Sequence, residues 1–258
     1  MHIVSTTRIA VKRSREGGQT EDAHWPRTSV NLFTPVFRAA VGDGASGSFC
    51  TPPWAQLITR GYCQNAFADH HRKRRLTRMR QHWEAIARPT SDAWYVRDAY
   101  LAGTATALVG ITIRDPNIFE ETGRFSALAV GDCALYQVRG NQLITAWPYQ
   151  HSSTFRNRPY QITSRGQRNR DLDEHIQRIE GWWHSGDQFL LMSDAIAEWF
   201  IREHETGRWP WQQIQQLERQ GRSPRFAEWI NDLRDRREMA DDDVTLTHIV
   251  VYEERTVR

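Results

Sequence analysis

A chain of 258 residues can bury a substantial core, and its 39% apolar and 25% charged residues set it apart from disordered chains. A net charge of +3 is too small to imply a polyanionic partner by itself. No stretch approaches the ~20 apolar residues of a membrane-crossing helix. The three cysteines, Cys50, Cys63 and Cys133, show no Cys-x-x-Cys spacing, which argues against a disulfide framework or a zinc knuckle and fits a reducing cytoplasm.

Met1 to Ala10 alternates apolar and polar residues and has no uninterrupted apolar run, so it reads neither as a signal peptide nor as a transit peptide. Val36 to Val41 reads as a short buried strand ending in the turn Gly42-Asp43-Gly44-Ala45-Ser46-Gly47. Helical spacing follows over Trp54 to Ala68 and, in an Arg- and His-rich segment, over His71 to Ala87 before Pro89. A third helix is expected over Asp92 to Leu101. Beyond Gly103, the β-branched run Thr104 to Ile113 reads as a strand.

Phe125 to Val130 and Ala134 to Val138 read as strands interrupted by Gly131-Asp132, and the turn Arg139 to Gln142 leads into Leu143 to Ala146, so an antiparallel meander is expected. His151 to Arg170 is polar and without period, within a variable surface excursion near 147–187. Leu172 to Trp183 has helical spacing, and Phe189 to Met192 is a strand opening onto Ser193-Asp194. Helices over Ala195 to Glu205 and, with breaks, Gln212 to Glu238 precede a last strand, Val244 to Tyr252. Strands grouped in meanders, with helices between the groups, favour an α+β fold in one domain over residues 1–258.

Four aspartates share a placement. Asp43, Asp132 and Asp194 each lie just after an expected buried strand, and Asp242 lies just before the last one. Aspartate is common in turns for its own reasons, but strand ends converge at the rim of a sheet, and carboxylates gathered there repel unless a cation neutralises them. Mg²⁺ and Mn²⁺ are the hard ions that an all-oxygen site selects.

The segments Thr20-Glu21-Asp22-Ala23, Val41-Gly42-Asp43-Gly44, Gly103-Thr104-Ala105-Thr106, Val130-Gly131-Asp132-Cys133, Met192-Ser193-Asp194-Ala195 and Asp242-Asp243-Val244-Thr245 occur in the order of the metal-dependent protein phosphatases of the 2C type. Over almost its whole length the sequence resembles a divergent bacterial-type member of that family. The resemblance implies two packed antiparallel β-sheets flanked by helices, an α/β/β/α sandwich, with two Mn²⁺ or Mg²⁺ ions at one end and a third, weaker site. It implies metal ligation by Asp43, the Gly44 carbonyl, Asp194 and Asp242, directly or water-mediated holding by Glu21 and Asp22, and a place for Asp132 in the third site. Asp43 and Asp194 would then act catalytically through a metal-activated water that hydrolyses phosphoserine or phosphothreonine monoesters. The implied partners are a phosphorylated protein and a partner kinase, with no membrane.

The sequence also departs from the family pattern. Gly17 stands where members carry a phosphate-gripping arginine, leaving Arg15 or Arg13 as substitutes. Ala45-Ser46-Gly47 places no histidine after Asp43, Ala195 replaces a glycine, and Asp243 replaces an asparagine. These departures motivate an alternative, a weak or inactive phosphatase-fold module that binds phosphorylated partners. Nucleic-acid association through the basic run His70 to Arg80 ranks third, because few aromatics are interleaved for stacking.

Two further patterns are set aside. Gly42-x-Gly44-x-x-Gly47 matches a dinucleotide fingerprint, but Asp43 would face the pyrophosphate. Cys133 and Arg139 have cysteine-phosphatase spacing, but a strand between them would hold their ends about 20 Å apart.

Overall fold

The computed structural model describes residues 1–14, 19–116, 122–156, 159–219 and 223–253. The chain opens with strands β1 (His2–Ala10), β2 (Ala23–Trp25), β3 (Val30–Phe33) and β4 (Val36–Gly44), then helices α1 (Thr51–Cys63), α2 (Arg72–Ile86) and α3 (Trp94–Ala102). Strands β5 (Ala105–Arg114), β6 (Gly123–Val130), β7 (Ala134–Arg139), β8 (Gln142–Trp147) and β9 (Ile162–Thr163) follow. After them come α4 (Leu172–His175), β10 (Gln177–Trp183), β11 (Gln188–Met192), α5 (Asp194–Glu205), α6 (Pro210–Arg219), α7 (Ser223–Asp235) and β12 (Val244–Tyr252).

The strands form two antiparallel sheets. One runs β3-β1-β12-β11-β7-β8 and the other β10-β6-β5-β4-β2, with β9 joined to β5. Side chains alternate across a strand, and here both faces are covered. On β5, Val109, Ile111 and Ile113 face the space between the sheets, while Leu108 packs with Trp54, Ile58 and Trp83 under α1 and α2. On β11, Phe189 and Leu191 face inward, while Leu190 and Met192 pack with Ile196, Phe200, Trp211 and Ile230 of α5 to α7. Coverage on both faces makes these strands read as continuous apolar runs, and the expected α/β/β/α layering is what the chain adopts.

Three local expectations differ from the structure. β4 continues past Val41 to Gly44, so Asp43 lies within the strand, paired with Ala107. β6 and β7 are not neighbours in one meander: β6 pairs with β5 and β10, β7 pairs with β11 and β8, and the chain crosses between sheets at Gly131-Asp132. Leu172 to Trp183 is a single helical turn followed by strand β10 rather than a helix. Gly181 is a poor helix former, and a Cβ there would come within 2.5 Å of the Phe125 ring. Ladder pairing with β6, with Ile179 and Trp183 turned toward the core between the sheets, overrides the helical spacing.

Part of the basic run is structural. Arg72 is buried and pairs with Asp69 and Asp173 at 2.6 and 2.7 Å, and Arg80 donates to the Thr163 carbonyl at 3.2 Å. Lys73, Arg74, Arg75 and Arg78 are exposed.

Asp187, with no solvent-accessible surface, ties β7 to the turn before β11. It accepts bonds from Arg139 Nε (2.7 Å), Gln137 Nε2 (2.8 Å) and the His184 amide (2.9 Å). Burial works against its charge, but these bonds outweigh it and hold the carboxyl below its ordinary value. A depressed native value stabilises the fold at pH above the unfolded value, about 4, and that stabilisation is lost as the pH falls through the native value. Asp187→Asn should cost about 2 kcal/mol in urea unfolding at pH 7, and the difference from wild type should shrink below about pH 4.

Candidate metal centre

The centre is assembled where strands from both sheets end. At the end of β4, Asp43 and Gly44 lie opposite Ala107 and Thr106 of β5, and Thr106 Oγ1 donates to the Asp43 carbonyl at 2.8 Å. The Ala45 amide continues the pairing to the Ala105 carbonyl at 2.9 Å. Gly44 is required by close approach: a Cβ there would lie 2.3 Å from the Glu21 carbonyl oxygen and 2.4 Å from Thr51 Cγ2. That contact between main chains lays Glu21-Asp22 over Asp43-Gly44.

The C-terminal acids arrive beside them because β1 and β12 are paired, with Ala10 opposite Val244. Of the three consecutive aspartates, the outer two bind the main chain after β1. Asp241 accepts the Arg13 and Ser14 amides at 2.9 and 3.2 Å, and Asp243 accepts those of Lys12 and Glu21 at 2.9 and 2.6 Å. Arg234 from α7 braces the loop, donating to the carbonyls of Val11 (3.0 Å) and Asp242 (2.5 Å). Asp242 keeps its side chain 40% exposed, 3.8 Å from Lys12 Nζ.

Asp194 opens α5, where the helix dipole favours a carboxylate. The start of α5 is locked to β12 by Ser193 N to the Thr245 carbonyl (3.0 Å) and Thr245 N to Ser193 Oγ (2.9 Å). Asp132 sits in the crossing between the sheets. Gly131 there has φ +91°, a left-handed conformation that glycine adopts freely, and a Cβ would press on Ala107 at 2.6 Å.

These carboxylates feel one another. Burial pushes Asp43 well above the ordinary carboxylate value, and the charges of Asp194, Asp22 and Asp132 push it further. Asp22 is raised likewise, first by burial and then by Asp243 and Asp194. Asp132 is pushed up to about 7 by burial and by the charges of Asp194 and Asp242. Asp194 is pushed up to about 6, again by burial first and then by Asp242. Asp43 and Asp194 keep some exposure at the rim, but protein surrounds the rest of each.

The donors suit a hard divalent cation in class and charge. The buried oxygens Asp22 Oδ2 and Asp132 Oδ1 have no hydrogen-bond partner among the described residues. Among the described residues, no group of three or more histidine, cysteine or acidic side chains is arranged as a ready ion-holding set. The carboxylates instead lean on each other and on neighbouring donors, so the fit lies in donor chemistry and charge. The Glu21 corner differs: Glu21 Oε2 accepts Lys12 Nζ at 2.7 Å.

Of the residues expected to act together, Asp22, Asp43, Asp132, Asp194 and Asp242 form one electrostatic cluster, with Gly44 and Glu21 against it. Arg13 is turned away from the cluster: it pairs with Asp235 at 2.6 Å and with Asn231 on α7, so it is not placed to grip phosphate. Arg15, like Gly17, falls outside the described residues. Lys12 and the amide-binding Asp241 were not singled out from the sequence, and Asp243 was marked there only as standing in place of an asparagine. Cys133 is fully buried just before β7, and Arg139 at the far end of that strand is bound to Asp187, which removes the cysteine-phosphatase pattern. β4 lies antiparallel to both of its neighbours, which removes the dinucleotide fold.

No protein-family model matches the sequence, and no curated protein matches it. Solved structures do match, over nearly the whole chain. One is the catalytic domain of the serine/threonine protein phosphatase PstP in complex with two manganese ions, 16% identical over 97% of this chain and 100% of that one, with a TM-score of 0.50. Another is PstP/Ppp of Mycobacterium tuberculosis, 16% identical over 98% and 100%, with a TM-score of 0.54. The serine/threonine phosphatase Stp1 of Staphylococcus aureus is 14% identical over 96% and 95%, with a TM-score of 0.55. The chain has the 2C-type serine/threonine phosphatase fold, in a form far diverged in sequence.

Raised carboxyl values carry a sign. Each such group stabilises the fold fully below the unfolded value, about 4, and that stabilisation is lost as the pH rises through the native values. For Asp194 and Asp132 those are about 6 and about 7. In EDTA, Asp43→Asn should therefore melt a few degrees higher than wild type near pH 7.5, a gain on the order of 1 kcal/mol. The gap should close toward pH 4. Equal melting temperatures across that range would contradict the electrostatic description.

Proposed function

We propose that this protein hydrolyses phosphoserine or phosphothreonine monoesters on proteins at a Mn²⁺- or Mg²⁺-dependent centre in the cytoplasm, undoing the work of a partner protein kinase. The observation that supports this most directly is the meeting of Asp22, Asp43, Asp132, Asp194 and Asp242, from five separate segments, in a fold shared with serine/threonine phosphatases. Among the described residues no helix is long and apolar enough to cross a membrane.

In this reading Asp22, Asp43, Asp194 and Asp242, with the Gly44 carbonyl, would hold the cation, and Asp132 would serve a further weak site. The cation would supply neutralisation of the phosphoryl oxygens and a more acidic water for in-line attack on phosphorus. A water oxygen bonds phosphorus, the ester P–O bond breaks, and the alcohol leaves with a proton. Asp43 is central, since it feels Asp194, Asp22 and Asp132 together. The Ser193–Thr245 lock and the Gly44 contact hold the carboxylates in register, so little reorganisation is needed when charge develops.

Purified protein should hydrolyse p-nitrophenyl phosphate and a phosphothreonine peptide with added Mn²⁺, and EDTA should abolish turnover. Asp43→Asn and Asp194→Asn should each lower kcat by at least about 100-fold while keeping a cooperative unfolding transition. Full activity in EDTA would contradict the reading, and phosphopeptide binding without turnover in Mn²⁺ would replace it with the binding-module alternative.

A further inference from the structure

Lys12 brings a cation to the acidic centre, and its geometry is built rather than incidental. Its Nζ lies 2.7 Å from Glu21 Oε2, 2.7 Å from Ser46 Oγ and 3.8 Å from Asp242 Oδ1, so three oxygens from three chain segments surround one ammonium. Two of its three N–H donors serve Glu21 and Ser46, and Asp242 stands at ion-pair distance. The backbone beneath it is pinned as well: the Lys12 amide donates to Asp243 Oδ1 at 2.9 Å, and the preceding Val11 carbonyl accepts Arg234 at 3.0 Å. The side chain is largely enclosed, at 13% exposure.

The cluster is thus divided. Glu21 and one side of Asp242 face an ammonium, whereas the buried oxygens Asp22 Oδ2 and Asp132 Oδ1 meet no hydrogen-bond donor among the described residues. A divalent ion brought to the Glu21 corner would be repelled by the ammonium and would have to displace it from two hydrogen bonds. The similar PstP catalytic domain holds two manganese ions.

We propose that Lys12 is a tethered cation occupying the corner between Glu21 and one side of Asp242, so that this chain binds a single Mn²⁺, among Asp22, Asp43, Asp194 and the other side of Asp242. This rests on the metal-centre reading given above. Replacing Lys12 by an uncharged residue removes the ammonium and opens a second site; replacing it by arginine keeps the corner occupied.

The test is Mn²⁺ binding to the full chain, with free Mn²⁺ read from its electron paramagnetic resonance signal. Wild type should bind one equivalent, Lys12→Gln two, and Lys12→Arg one, with cooperative unfolding checked for each. Two equivalents in wild type would overturn the proposal while leaving the metal centre standing, and this holds even if Lys12→Gln fails to fold. One equivalent in a folded Lys12→Gln would also overturn it. No binding by wild type or by either variant would overturn both the proposal and the metal-centre reading.

Discussion

Carboxylates packed together out of water repel through a medium far less screening than the solvent they have left. At the shared end of the two sheets, burial and mutual charge raise the pKa of Asp22, Asp43, Asp132 and Asp194 alike. Much of the surrounding structure holds these groups in place against that repulsion. Arg234 braces the loop that carries Asp242, Asp241 and Asp243 fasten the chain leaving β1, and Lys12 neutralises the Glu21 corner. Among the described residues, buried oxygens of Asp22 and Asp132 remain without a hydrogen-bond partner. Negative charge concentrated in this way is costly to the bare fold and useful to a site that binds cations.

The two sheets depend on each other through this centre. Asp43 comes from β4 in one sheet, Asp194 and Asp242 flank β11 and β12 in the other, and Asp132 sits where the chain passes between them. Neither sheet alone gathers the set, so the apolar layer of Val109, Ile111, Phe189, Leu191 and Ile249 aligns the carboxylates as well as stabilising the fold. Helices on the outer faces complete the burial and leave the strand ends open, and function follows from that geometry.

Much of this was legible in the sequence because strands covered on both faces leave long apolar runs with acids at their ends. Val244 to Tyr252 is a strand with the bounds its alternation implies, and the order of short acidic motifs led to the layered sandwich. What was hidden depended on partners distant in the chain. Nothing local in Leu172 to Trp183 reveals that β6 will recruit its second half as a strand. Gly131-Asp132 reads like a turn within one sheet, and only the stacking makes it a passage between two. Among Asp241, Asp242 and Asp243, which side chain faces the cluster follows from the β1–β12 register and the amides it presents. Lys12 belongs to no pattern: a lone lysine two residues past a strand gains meaning only when Glu21, Ser46 and Asp242 close around it.

The central claim is that these distant carboxylates share a cation at one end of the sandwich. It is tested most directly by an anomalous difference map from crystals grown with Mn²⁺, collected near the manganese edge. The account predicts a strong peak among the carboxylates of Asp22, Asp43 and Asp194. A map with no peak in that cluster, or with manganese bound only elsewhere on the surface, would contradict it.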